Sequence, residues 1–409
     1  MRPPRPWTIG EVALLAFLVE SCSGGSLHPV RGPLPGSDAS GLSDTSTTIL
    51  CPSPLLLGYA TMSDQGGEFD GGSDAAPPML RLDGGVTGGG PLDAGTRVVV
   101  KATDSDALAQ FSMYAGDKTP GPLTIVVEGM IAIPPPSDGG SGDVQKIRVS
   151  SNKTVIGDGA SSGFSGGGLS LSEVSNVIVQ NLLISMPNGD DAGDNVDAIH
   201  VEKSHQIWID HCDLSSNGNS DAGASYDDLV GISDGSDFVT VSWTRYHDHG
   251  ATGIIGRSDS VMAAAEDADK EHVTFDHDWF ENVASGPRAR FGYVHIFNTY
   301  FDHVSDYGVA AIDGVNVRIE NSVFDLVTPV ASDPDFGPVT TDLEGDLGPG
   351  YAELVNNTPR GSGNNHITTQ ATDWTPPYDY KDSLDSTANV PTLVEACAGT
   401  GHISVPPTN

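Results

Sequence analysis

Positive charge is scarce in this chain: 19 Lys and Arg stand against 55 Asp and Glu, a formal net charge of −36. So acidic a surface excludes nucleic acid and anionic membranes as natural partners. A polyanionic ligand binds such a chain only through a local basic patch or through bridging cations. Aromatic residues make up 7% and there are four cysteines, which allows few disulfides. The apolar run Val12–Val19 is too short to span a bilayer. No phosphate loop, nucleotide fingerprint or Ser-His-Asp arrangement stands out.

Apolar residues still reach 37%, enough for a sizeable core, and 50 glycines with many short Val/Ile runs point to β-structure rich in turns. Arg2 and Arg5 ahead of Val12–Val19 have the form of an export signal. Val19-Glu20-Ser21-Cys22 resembles a bacterial lipobox with an atypical Glu20, so an acylated Cys22 and plain secretion are both expected outcomes. The expected organisation is a signal over 1–22, a flexible Gly/Ser/Pro/Asp-rich tether over 23–50 and one folded domain over 51–409. Cys51 and Cys397 bracket that domain, so a bridge closing its ends is one option, while Cys212 lies in a strand pattern as a buried thiol. The spacing alone leaves the pairing open.

Arg97–Val100 and Leu123–Gly129 read as strands and Asp104–Tyr114 as a short helix. Beyond them a unit recurs, with gapless copies starting at Asn176, Gln206, Phe238, His272, Tyr293 and Asn316 and a weaker one at Tyr351. In each copy the second and fourth positions are apolar, as in Val177/Val179 and Val294/Ile296, the period of a strand with one face buried. The sixth positions (Asn181, His211, Trp243, His277, Asn298, Asn321, Asn356) are mostly hydrogen-bonding. The ninth positions of the first six copies (Ile184, Leu214, Tyr246, Phe280, Phe301, Phe324) are apolar or aromatic. Stacked coils turn these rows into a polar ladder at a turn and an apolar stack inside, which predicts an all-β parallel β-helix. Starts 30, 32, 34, 21, 23 and 35 residues apart give a minimal coil of 21–23 residues. Three longer coils carry extra residues at Met186–Asn195, Ser215–Asp227 and Gly256–Lys270, loops expected to wall a groove for an extended polymer on one face.

The densest positive charge, Gly286-Pro287-Arg288-Ala289-Arg290, lies between two copies. Trp208-Ile209-Asp210-His211-Cys212, Gly235 to Trp243, Pro287 to His295, Ser151 to Gly157 and the Ala398–Gly401 ending, in this order, resemble the pectate lyases and pectin lyases of polysaccharide lyase family 1. The resemblance covers about Cys51 to Ile403 and implies a right-handed parallel β-helix that cleaves polygalacturonate or pectin by β-elimination. It further implies calcium, with Asp197 and Asp227 on ligand positions and Asn195 where another acid is usual. Gly231 replaces a further carboxylate, Ala251 a substrate lysine and Ser285 the arginine that serves as base. Arg290 matches a retained arginine and is expected on the substrate. Arg288 shares its face and is the candidate substitute base, and Arg257, at the foot of the third insertion, is the candidate substitute for the lysine.

The plainer readings are surface carboxylates for Asp197 and Asp227 and an aspartate-paired structural arginine for Arg290. His247, His249, His272 and His277 fall on coil turns and not on a zinc site, and Asp210 and His211 belong to the packed ladder. Two rival functions remain at this level: a calcium-independent lyase on methylated pectin or another polymer, and a non-catalytic carbohydrate-binding protein on a lyase scaffold, for which Ser285, Ala251 and Gly231 argue. The expected partner is an acidic plant-type polysaccharide, with no nucleic acid or protein partner and a monomeric state.

Overall fold

The computed structural model describes residues 49–63, 80–81, 85–90, 95–116, 121–134, 146–185, 197–216, 228–330, 333–343 and 346–406. The expected signal over 1–22, including Cys22, and nearly all of the tether lie outside the described residues.

Each predicted repeat is one coil. The copies form strands Ser175–Gln180, His205–Asp210, Asp237–Ser242, His272–Asp276, Tyr293–Phe297, Asn316–Glu320 and Tyr351–Val355. They pair in parallel with Val177, Ile207, Val239, Val273, Val294, Val317 and Ala352 in one row, the alignment the apolar positions predict. With Arg97–Lys101, Leu123–Glu128 and Lys153–Gly157 they complete a ten-stranded sheet. A nine-stranded sheet runs from Met130–Ala132 to Thr358–Arg360, and an eight-stranded sheet from Lys146–Arg148 to Val339–Thr340. Successive coils therefore stack three strand faces around one core, a parallel β-helix.

The corner between the ten- and nine-stranded sheets is the tightest. In the seven repeat coils two residues separate the strands, from Asn181-Leu182 to Asn356-Asn357. The first of the two is left-handed throughout, with φ between 48° at Asn321 and 57° at His277. Asparagine tolerates that region better than most residues, which explains the four asparagines. The other three stack their rings between coils instead: His211 on Trp243 at 5.8 Å and Trp243 on His277 at 4.0 Å. Just past this corner the predicted stack forms, with Tyr246, Phe280, Phe301 and Phe324 ring to ring at 4.5, 4.9 and 4.7 Å.

A helix over Ala107–Ala115 packs Phe111 on Phe164 at 4.7 Å, covering the first coils. Cys51 and Cys397 are bridged, so the option left open by the sequence is the one taken. Cys212 is a buried free thiol, pushed up to about 12 by burial. The insertions do not leave the coil at a single corner. Those around 186–195 and 215–227 precede strands Ile199–Glu202 and Val230–Ser233 of the eight-stranded sheet. The third follows Gly253–Ile255 of that sheet and carries the helix Val261–Asp267, capped by Ser260 Oγ accepting from the Ala263 N–H.

Candidate functional site

Alternation along the eight-stranded sheet sends Ile199, Val201, Val230, Ile232 and Ile255 into the core. The residues between them form an outward row in register: Arg148, Ser170, His200, Gly231, Ile254, Arg288, Ala310. Three residues upstream, at the edge of the sheet, Ala251, Ser285 and Tyr307 are bridged coil to coil. The sheet thus brings one end of the sequence-predicted set, around Asp197, and the other, around Arg288, onto a single face. Asn195 and Asp227 lie outside the described residues.

At the first end, a hollow of about 270 Å³ holds Asp197, His200, Glu202, Asp228, Gly231 and Arg257 among its lining residues. Asp197 is buried. Its Oδ2 accepts from His200 Nδ1 at 2.5 Å and its Oδ1 accepts from the Asp228 backbone N–H at 3.2 Å. Gly231 lies directly beneath: a Cβ there would stand 2.2 Å from Asp197 Oδ2. The missing carboxylate at 231 and the lean of Asp197 toward His200 are therefore one arrangement. Burial works to raise the Glu202 carboxyl, but hydrogen bonds from Lys203 and Ser172 outweigh it and hold it below the usual range. Arg257, half exposed, reaches Asp234 at 3.3 Å and Glu266 at 3.6 Å, so it faces the hollow while tied to acids of its own loop.

At the second end the two arginines share one acid. Arg290 Nε donates to Asp259 Oδ1 at 2.5 Å and its Nη1 to the Gly256 carbonyl at 2.8 Å. Arg288 Nη2 stands 3.5 Å from Asp259 Oδ2. The arginines differ in reach: the Arg290 side chain is 4% exposed and that of Arg288 29%. Burial pushes the Asp313 carboxyl up to about 6, and Asp259 adds to this. For Asp259 burial acts upward too, but the Arg290 hydrogen bond and the charges of Arg290 and Arg288 prevail and hold it low. A buried Arg290, its Nε on Asp259 and its Nη1 on the Gly256 carbonyl, braces the strand. Arg288, on the outward row, is the guanidinium presented to a ligand.

Alternation was the signal for His200, which the sequence reading passed over: it is the outward residue between Ile199 and Val201. Asp228 and Tyr307 carry no such signal, because they precede their strands and only the stacking of coils brings them to the site.

The family model for pectate lyase matches residues 82–403. The chain belongs to the pectate lyase family. Among its relatives, a pectate trisaccharide-lyase of Bacillus licheniformis is 34% identical over 326 residues, spanning 79% of this chain and 85% of that protein. Pectate lyase A of Aspergillus niger is 34% identical over 331 residues, spanning 80% and 88%. The crystal structure of a Bacillus sp. N165 pectate lyase in complex with trigalacturonate is 30% identical, with a TM-score of 0.66, covering 86% of this chain and all of that one. As a pectate lyase family member the chain is a polysaccharide lyase with the right-handed parallel β-helix of that family. Pectate lyases are generally calcium-dependent and extracellular. Of the three expected calcium positions only Asp197 lies among the described residues. Both Asp197 oxygens are already engaged, Gly231 offers no oxygen from a side chain, and among the described residues no group of three or more His, Cys, Asp or Glu could hold a metal.

Proposed function

We propose that this pectate lyase relative cleaves polygalacturonate-like chains by β-elimination on the outward face of the eight-stranded sheet. The observation that carries the reading is the row running from His200 past Gly231 and Ile254 to Arg288, with the loop that carries the helix Val261–Asp267 on one flank and Arg290 with Asp259 bracing its far end. A uronate carboxylate set against Arg288 loses charge density, which acidifies the adjacent C5 proton. As that proton leaves, its electron pair forms the C4=C5 double bond and the C4–O4 bond breaks. Arg290 is assigned to hold the strand and its partner arginine at the substrate, and Arg257 to meet a neighbouring sugar carboxylate across the hollow. Asp197, Asn195 and Asp227 remain the assigned calcium positions, but no step is routed through the ion. The relatives do not favour a methylated-pectin enzyme or a non-catalytic binder. Secretion, with acylation at Cys22 as its anchored form, belongs to the same reading, since the substrate is extracellular.

Unsaturated product absorbs in the ultraviolet, so the test is direct: polygalacturonate and methylated pectin, each with calcium and with chelator. Product from polygalacturonate is expected, and both Arg288→Ala and Arg290→Ala should lower kcat/KM at least tenfold, since each removes a charge-assisted contact at or beneath the substrate. No product from either polymer would overturn the reading. Product that survives chelation would remove Asp197, Asn195 and Asp227 from the metal assignment.

A further inference from the structure

Ser285 stands where the resemblance expects the proton-abstracting arginine, and its short hydroxyl offers no base of its own. In the next coil, Tyr307 is bridged to Ser285 through the backbone, and the Gly286 N–H donates to the Tyr307 carbonyl at 2.9 Å. The Ser285 side chain also acts on the Tyr307 phenol, working against the rise that burial causes. The ring packs on the outward face beside Ala310 and edge-on to Phe336 at 5.8 Å, one coil on from Arg288. Tyr307 thus lies one coil on from both Ser285 and Arg288, at the edge of the outward face.

We propose that Tyr307 is the proton-transfer group of this lyase, its phenol occupying the place left by the side chain missing at Ser285. The inference rests on the lyase reading above. In its phenolate form the oxygen takes the C5 proton, the C5–H pair becomes the C4=C5 bond, the C4–O4 bond breaks, and the departing O4 takes a proton from water. The phenol returns to phenolate by releasing its proton to solvent, so the cycle needs no other reactant. Burial raises this phenol above the ordinary tyrosine value; Ser285, Arg288 and Arg290 act against the rise, and Asp228 adds to it. The proposal therefore requires a rate that climbs with pH through the alkaline range, as the phenolate fraction grows.

Tyr307→Phe keeps the ring and its packing and removes only the oxygen. With polygalacturonate as substrate, kcat is expected to fall about 100-fold or more, with KM changed less than threefold and the alkaline climb abolished. Trigalacturonate binding and the thermal unfolding midpoint should stay as in the wild type. A second variant separates chemistry from packing: Ser285→Arg in the Tyr307→Phe background places a guanidinium at the vacated position and should restore turnover at least tenfold. A Tyr307→Phe enzyme within threefold of wild type in kcat overturns this inference alone. Loss of binding or of thermal stability in Tyr307→Phe reduces Tyr307 to a structural residue and overturns it too. A wild type that forms no product overturns both this inference and the reading it rests on.

Discussion

Glu271 is fully buried beside the arginine pair, and neither of its carboxylate oxygens has a hydrogen-bond partner among the described residues. Burial first, then Asp267 and Asp237, drive its carboxyl well above the usual value, with Arg290 opposing. A carboxyl whose folded pKa is raised binds a proton that the unfolded chain releases. Its contribution to stability is therefore full below the unfolded value and is lost as pH climbs toward the folded one, by about 1.4 kcal/mol per pH unit. Glu271→Gln removes this liability, so its thermal midpoint should exceed the wild type's at pH 8 and match it near pH 4. A Gln variant less stable at pH 8 would mean that the charged carboxylate is paired after all. Residues of this kind explain why the site was less legible than the fold. Arg288 and Arg290 were visible as the one basic cluster of an acidic chain, but that Asp259 would bury one and leave the other outward depends on a loop whose path the sequence does not reveal. Asp197 was visible as a ligand position; its engagement by His200 was not, because it requires the empty space above Gly231.

The repeating strand carried most of the legible information. Two apolar positions per copy, one turn residue and one apolar or aromatic ninth position were enough to predict register, and the structure pairs Val273 with Val294 and Phe280 with Phe301 as those rows require. Tertiary stacking did not have to override local preference, since each coil repeats the same choice. The aromatic column is where this regularity stores stability. Phe301 is completely buried between Phe280 and Phe324. Phe301→Ala should cost about 3–5 kcal/mol, since the neighbouring rings are held by their own coils and cannot collapse into the space. Chemical denaturation would measure it, and a loss under 1 kcal/mol would show the column to be loosely packed. The insertions were less legible: their lengths were plain, but the side of the coil they leave from depends on which strand each one follows.

For the whole molecule the bridge between Cys51 and Cys397 ties the segment entering the described fold to the helix Val390–Cys397, across a sequence separation of 346. That helix lies against Tyr300 and Val323 on the nine-stranded sheet, so the bridge holds both ends on the coils. Closing so long a loop constrains the unfolded chain, and its removal is expected to cost about 2–5 kcal/mol. Cys51→Ser should accordingly lower the thermal midpoint while leaving polygalacturonate cleavage at moderate temperature within twofold, because the bridge is remote from the outward row. Equal midpoints would show that packing alone holds the ends. The left-handed corner has a consequence for how such a protein can change over generations. With two residues at that corner in each of the seven repeat coils, one added residue there would swap inward and outward faces along the next strand. The other corners have absorbed more than ten residues without disturbing a single register. Descent can therefore rewrite the cleft freely while the scaffold stays closed to editing, and the replacements at Gly231, Ala251 and Ser285 all fall on the side where revision is permitted.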